Sequence, residues 1–215
     1  MPAHPWRYEP VAFTQCPLGE GPFRARGLAY TTALRFVDTR LRGGRASFLE
    51  ALGPEDPCGA FYDQLFLVMG EYDVSPLVHL YVTAARIERS PVGRFIEERA
   101  RRSADTDSSG MWKPMLRAAN AQEMAGRLHL AFNRYFSPCH AEPIRETPGR
   151  FEGELSKLPT CMSGLYVSST AGFFAGALAL KGARDVKTEF DRPLLDGVVG
   201  GVPTEKTRFS VTWRE

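Results

Sequence analysis

The sequence predicts an α+β fold, a helical layer packed on a four-stranded antiparallel sheet, in the order helices, hairpin, helix, hairpin. Three observations carry this. Apolar residues recur at helical spacing through the first two-thirds of the 215-residue chain. Near Ser137 the period shortens to alternation. One apolar helix, starting at Ser163, then separates two alternating pairs of segments.

Residues 1–22 hold five prolines and little periodicity, so they read as an irregular arm with one short strand at "PVAFT". Residues 23–215 read as a single domain. From Arg24, the residues Leu28, Leu34, Val37 and Leu41 keep to one helix face until Gly43-Gly44. "RASFLEALGPED" is a second short helix, closed by Gly53-Pro54. "GAFYDQLFLVMGEY" and "SPLVHLYVTAARIERS" both read as helices, the second with Ser75 as N-cap and Pro76 at the first helical position. "SPVGRFIEERARRS" repeats that opening at Ser90-Pro91, and its mixed-sign "EERARR" reads as a solvated face. "ADTDSSG" is expected to be a polar loop before a further helical region, Met111 to Phe136, broken or begun at Pro114.

"AEPIRETPGRFEGELSKLP" alternates about a Pro148-Gly149 turn, which makes a hairpin. The helix from Ser163 to Lys181 follows, stopped by Gly182. "DVKTEFDRPLL" and "TRFSVTW" are the last two strands, flanking a glycine-rich loop, "DGVVGGVPTEK". Within the long helix Gly164, Ser168, Gly172 and Gly176 stand at four-residue intervals. A glycine inside a helix costs about 1 kcal/mol relative to alanine, so the stripe needs a reason. Small residues at that spacing let a neighbouring backbone approach closely. The stripe is therefore expected to pack a helix inside the monomer; a crossing at a dimer interface and space left for a ligand are the alternatives.

A net charge of +2 and 24% charged residues give no reason to expect a nucleic-acid partner. The start of the chain has no basic segment followed by an apolar core, and the longest apolar stretch, Ala171 to Leu180, is half of what a membrane span requires. Four widely spaced cysteines, Cys16, Cys58, Cys139 and Cys161, have no CxxC pair and read as reduced thiols of a cytoplasmic protein.

Catalytic signatures are missing: there is no GxSxG, HExxH, Walker loop or GxGxxG. The pairs Glu97-Glu98, Glu152-Glu154 and Asp105-Asp107 fall on solvated faces or loops. Cys139 and His140 are adjacent, which suits neither a catalytic pair nor, with Cys161, a tetrahedral zinc site. No catalytic residue, metal or cofactor is assigned. Aromatic residues do concentrate at the helix-to-sheet junction: Trp112, Phe132, Tyr135, Phe136, Tyr166 and Phe173, with Phe174 beside them. Most would serve as core, yet together they could line a mostly apolar pocket.

The tail segments "GFFAGALALKGARDV", "KTEF" and "TRFSVTW" resemble the carboxy-terminal half of one superfamily. It contains the vinyl-reductase-type small-molecule-binding domains, the haem nitric-oxide-binding domains and the Golgi-tethering TRAPP subunits. From Phe23 onward the chain is more closely similar to a family of proteins of about this length expanded in myxobacteria. "RGLAYTTALRFVDTRL", "SFLEALGPED", "RYFSP" and the two hairpins carry that similarity.

The resemblance implies a helical layer on a four-stranded antiparallel sheet, often a dimer through the helices. Its branches hold haem, bind small aromatic or fatty ligands, or act as scaffolds. The haem branch needs a helical proximal histidine and a Tyr-x-Ser-x-Arg signature. Here "YVSST" has Thr170 at the arginine position, and His79 and His129 are the helical histidines, so haem is not expected. The zinc-binding cysteines of the vinyl-reductase branch have no counterpart in "EFDRPLLDGVVGGVPTEKTRF". Cys58 does not align with the acylated cysteine of the tethering branch, so it is read as a small buried hydrophobe. The expected function is a non-enzymatic regulatory or sensory domain, homodimeric, with a small apolar ligand between helices and sheet. The alternative is a homodimeric scaffold for a protein partner, with an apolar patch across Phe36, Leu41, Phe48 and Leu52.

Overall fold

The computed structural model describes residues 6–11, 16–109 and 117–215. A short strand β1 (Arg24–Arg26) leads into α1 (Gly27–Thr39), α2 (Gly44–Leu52) and α3 (Cys58–Tyr62). Strand β2 (Glu71–Asp73), α4 (Val74–Ile87) and α5 (Val92–Ser109) follow, then α6 (Ala121–Ala125), α7 (Leu128–Tyr135) and β3 (Phe136–Ser137). The last third is β4 (His140–Thr147), β5 (Arg150–Pro159), α8 (Ser163–Ala179), β6 (Arg184–Phe190), β7 (Leu194–Val199) and β8 (Val202–Arg214). The class is α+β, with antiparallel pairing in both sheets.

The larger sheet runs β4-β5-β8-β6 and carries β7 as a fifth strand on β8. The segment read from sequence as a glycine-rich loop is thus largely a hairpin. Its turn is Gly200-Gly201, both at positive φ (+55° and +79°), a backbone that suits a tight hairpin turn. Alternation along β7 is broken by a register shift between Leu195 and Gly197, which hides the strand from a period-two reading. A second, three-stranded sheet, β2-β1-β3, ties the helical part together.

Two helical expectations give way to tertiary packing. The helix at "GAFYDQLFLVMGEY" stops after Tyr62, because Phe66 stacks on Tyr30 (ring centroids 4.4 Å apart) and Tyr72 packs edge-on to Phe66 at 4.8 Å. Leu65 and Leu67 are left exposed, and Gly27 N donates to Gly70 O, aligning β2 with β1. Conversely, α5 continues through most of "ADTDSSG" to Ser109, since Ala104 is buried against Gly176 of α8. The cap of α4 is Asp73 rather than Ser75: its carboxylate accepts from Ser75 N (2.9 Å) and Gly21 N (3.1 Å).

The core lies between α8 and the larger sheet and between α8 and the other helices. Phe174 meets Phe209 of β8 at 5.6 Å, with Phe151, Leu155 and Val211 buried around them. Residues 6–11 of the arm lie over the start of α8 without regular structure, so "PVAFT" has no strand at Pro10 and Val11; its remaining residues lie outside those described. Gly164 N donates to Arg7 O, Glu9 N donates to Cys161 O, and Trp6 packs edge-on to Phe190. Phe36, Leu41 and Phe48, expected in an exposed patch, are buried in the chain, and Leu52 packs half-buried against the core. Among the described residues, no helix is long and apolar enough to cross a membrane.

Candidate ligand cleft

The small-residue stripe of α8 is covered along its length from within the chain. A Cβ on Gly172 would stand 2.0 Å from the Glu97 carbonyl oxygen, and one on Gly176 would stand 2.4 Å from that of Arg101. The α5 backbone therefore lies directly on the stripe. At its other end the Tyr8 ring covers Gly164, and the Tyr8 hydroxyl shares a 2.8 Å hydrogen bond with Ser168 Oγ. Burial raises the Tyr8 phenol above its ordinary pKa.

One position further along the chain, about 100° round the helix, α8 presents a second stripe: Leu165, Ser169 and Phe173. These residues wall a cleft of about 80 Å³. Facing them are Ala29 and Thr32 of α1, Leu77 and Tyr81 of α4, Arg99, Ala100 and Ser103 of α5, and the α7–β3 stretch. The seam fixes α5 so close to α8 that Arg99 and Ser169 line the same space. Small side chains on several walls, Ala29, Ala100, Ala131 and Ser103, leave it unfilled.

Of the aromatic residues singled out from sequence, Phe132, Tyr135, Phe136 and Phe173 line this cleft. Tyr166 stands behind it, fully buried, 4.8 Å from the Phe136 ring and beside Cys139. Trp112 lies outside the described residues. The enclosing elements are helices and the short strand β3; the larger sheet contributes none of the lining residues.

The polar members of the lining were not anticipated. Arg99, read as part of a solvated "EERARR" face, is half-buried at the cleft, its guanidinium 4.1 Å from the centre of the Phe36 ring. Burial lowers its pKa, and Arg102 and Arg40 add to this while Tyr81 opposes it. A guanidinium does not give up its proton in a protein. Its half-burial against the Phe36 ring leaves a partly dehydrated cation, and no carboxylate among the described residues pairs with it. Thr170 is buried on the same wall, and its Oγ1 has no hydrogen-bond partner among the described residues. A signal for Arg99 did exist: it follows the buried Phe95 and Ile96 by four and three residues, on one helix face.

This space does not fit a haem. At about 80 Å³ it is far below the roughly 300–1,000 Å³ of ordinary cofactor and drug sites. None of the described histidines lines it: His79 faces Asp56, His129 lies elsewhere on α7, and His140 stands on β4 against Glu142. The gap between α5 and α8 is closed by the seam.

The chain matches no protein-family model. No curated protein matches it in sequence. Solved structures do match. The Cs H-NOX mutant with 4-cyano-L-phenylalanine at site 5 superposes with a TM-score of 0.64 at 12% identity, covering 88% of this chain and 97% of that one. The fold is that of an H-NOX domain. The Fe(II) unliganded H-NOX protein from K. algicida gives 0.61 at 11% identity, with 88% and 97% covered. An H-NOX protein from S. oneidensis in the Fe(II)NO ligation state gives 0.60 at 13%, with 88% and 99% covered. The H-NOX-like scaffold is thus present over most of the chain, with a small cleft walled by Arg99 and Thr170 at its helical centre.

Proposed function

We propose that this chain is a non-enzymatic sensory or regulatory domain of the cytoplasm that binds a small apolar molecule bearing an acidic group. The carrying observation is the convergence of Arg99, without a carboxylate partner among the described residues, and the unpaired Thr170 Oγ1 in an aromatic-walled cleft. Aromatic and aliphatic walls favour an apolar body, and a poorly hydrated guanidinium favours a carboxylate end. An engineered cavity of about 150 Å³ takes benzene. The present cleft, at about 80 Å³, is about half that size and encloses a short branched chain or part of a single ring, the rest standing at the open rim of Tyr81, Arg99 and Phe173.

The H-NOX neighbours support a sensory role through fold alone. Kinship with the vinyl-reductase-type domains, the TRAPP subunits and the myxobacterial family belongs to the same proposal, as does a homodimer. Leu194, Leu195 and Val198 of β7, all exposed, are the surface offered to a second copy. They also favour the second reading, a scaffold that holds a protein partner without a ligand.

Thermal denaturation of the full chain with benzoate and with benzyl alcohol separates the two readings. Benzoate should raise Tm more than benzyl alcohol does, and Arg99→Met should abolish the difference. Equal or absent shifts in the wild-type chain would overturn the ligand reading.

A further inference from the structure

Away from the cleft, Asp56, Cys58 and His79 bring three ligand-type atoms within 4.8 Å of one another. Asp56 Oδ1 accepts the Cys58 backbone N–H at 2.9 Å, which turns the carboxylate back over the start of α3. Its Oδ2 lies 2.8 Å from His79 Nε2 on α4. The two helices are held together by Tyr62, whose hydroxyl donates to Pro76 O at 2.7 Å, about one turn before His79. Cys58 is fully buried, whereas the His79 and Asp56 side chains are 26% and 18% exposed. A sulfur therefore forms the floor of the cluster, with an imidazole and a carboxylate at its mouth.

We propose that this cluster is a transition-metal site. Cys58 Sγ, His79 Nε2 and an Asp56 carboxylate oxygen would bind a divalent ion of the zinc type, with water as fourth ligand. A thiolate, an imidazole and a carboxylate suit zinc or cobalt rather than calcium or magnesium. Tetrahedral bonds of about 2.0–2.3 Å place ligand atoms roughly 3.3–3.6 Å apart, so no pair needs to close by more than about 1.5 Å, and the Asp56–His79 pair opens by about 0.5 Å from its 2.8 Å. On binding, the Nε2–H proton that His79 donates to Asp56 is lost to solvent while Nδ1 keeps or takes up a proton, and the freed Nε2 and the carboxylate oxygen each bond the metal. The Cys58 S–H bond is replaced by a sulfur–metal bond, the proton passes to solvent, and no electron is transferred. Three protein ligands with one open position are the pattern of a reactive or exchangeable site. The site departs from the sequence expectation of no metal, because Asp56 and His79 meet only in the folded chain. It is independent of the cleft: Leu77 and Tyr81 on either side of His79 line the cleft, while His79 points to Asp56.

Cobalt(II) titration of the metal-free, reduced full chain tests this. The expected result is one cobalt per chain, with thiolate-to-cobalt charge-transfer absorption and intense tetrahedral visible bands, all reversed by zinc. Cys58→Ser should abolish the charge-transfer band. Asp56→Asn and His79→Gln should weaken cobalt binding beyond the about 10–100-fold that loss of an outer contact produces. Circular dichroism checks the fold of each variant, and if Cys58→Ser does not fold, the other two variants decide. Wild-type affinity in both, no charge-transfer band at one equivalent, or a band that survives in folded Cys58→Ser would overturn the site.

Discussion

The seam along Gly172 and Gly176 and the cleft wall along Ser169 and Phe173 run side by side on α8, one residue apart, and differ in almost every property. On the seam, absent side chains admit the α5 backbone until carbonyl oxygens occupy the space a Cβ would need. On the wall, a ring and a hydroxyl face a space that the surrounding alanines do not fill. Close approach on one side thus holds open a gap on the other. The helix stores tight packing and ligand space at adjacent positions.

Substituting adjacent residues sharpens this contrast. Gly172→Ala should lose about 3 kcal/mol or more, because its Cβ meets the backbone oxygen of Glu97, which cannot rotate away. Urea denaturation measures it. Phe173→Ala deletes a whole ring yet should lose only about 1–2 kcal/mol, since the ring is half-exposed at the cleft. Equal losses from the two would break the comparison. Arg99→Met should move stability by less than about 1 kcal/mol: it gives up the contact with Phe36 and also removes a desolvated charge. A larger loss would make Arg99 a structural residue rather than a binding one.

The smallest effect concerns pH. Burial, then the nearby His140, holds His129 below the ordinary histidine pKa of about 6.5. In the window between the folded and unfolded values the unfolded chain binds more protons, so stability is complete above about pH 6.5 and falls as the pH drops through that window. His129→Gln should flatten the dependence modestly in pH-resolved thermal melts. No change in slope would place the titration elsewhere.

Much of this was legible before the structure. The change of period near Ser137, the Pro148-Gly149 turn and the stripe of α8 are local patterns, and the hairpin and helix formed where they indicated. Four of the cleft aromatics were readable because they crowd one junction. What escaped depends on distance or on override. The bulge at Gly197 erased the alternation of β7. The Tyr30–Phe66 stack ended a helix that its apolar spacing would have continued. Arg99 looked solvated because a charged run normally is, and only its register with Phe95 and Ile96 argued otherwise. Asp56 and His79, 23 residues apart, carry no local sign that they touch.

Native mass spectrometry of the purified full chain, followed by denaturation and identification of any released compound, tests the central claim most directly. The account predicts a small apolar acid bound one per chain, absent from a folded Ala131→Phe variant whose ring fills the cleft. A wild-type chain that carries nothing, or a compound that persists in Ala131→Phe, would contradict it.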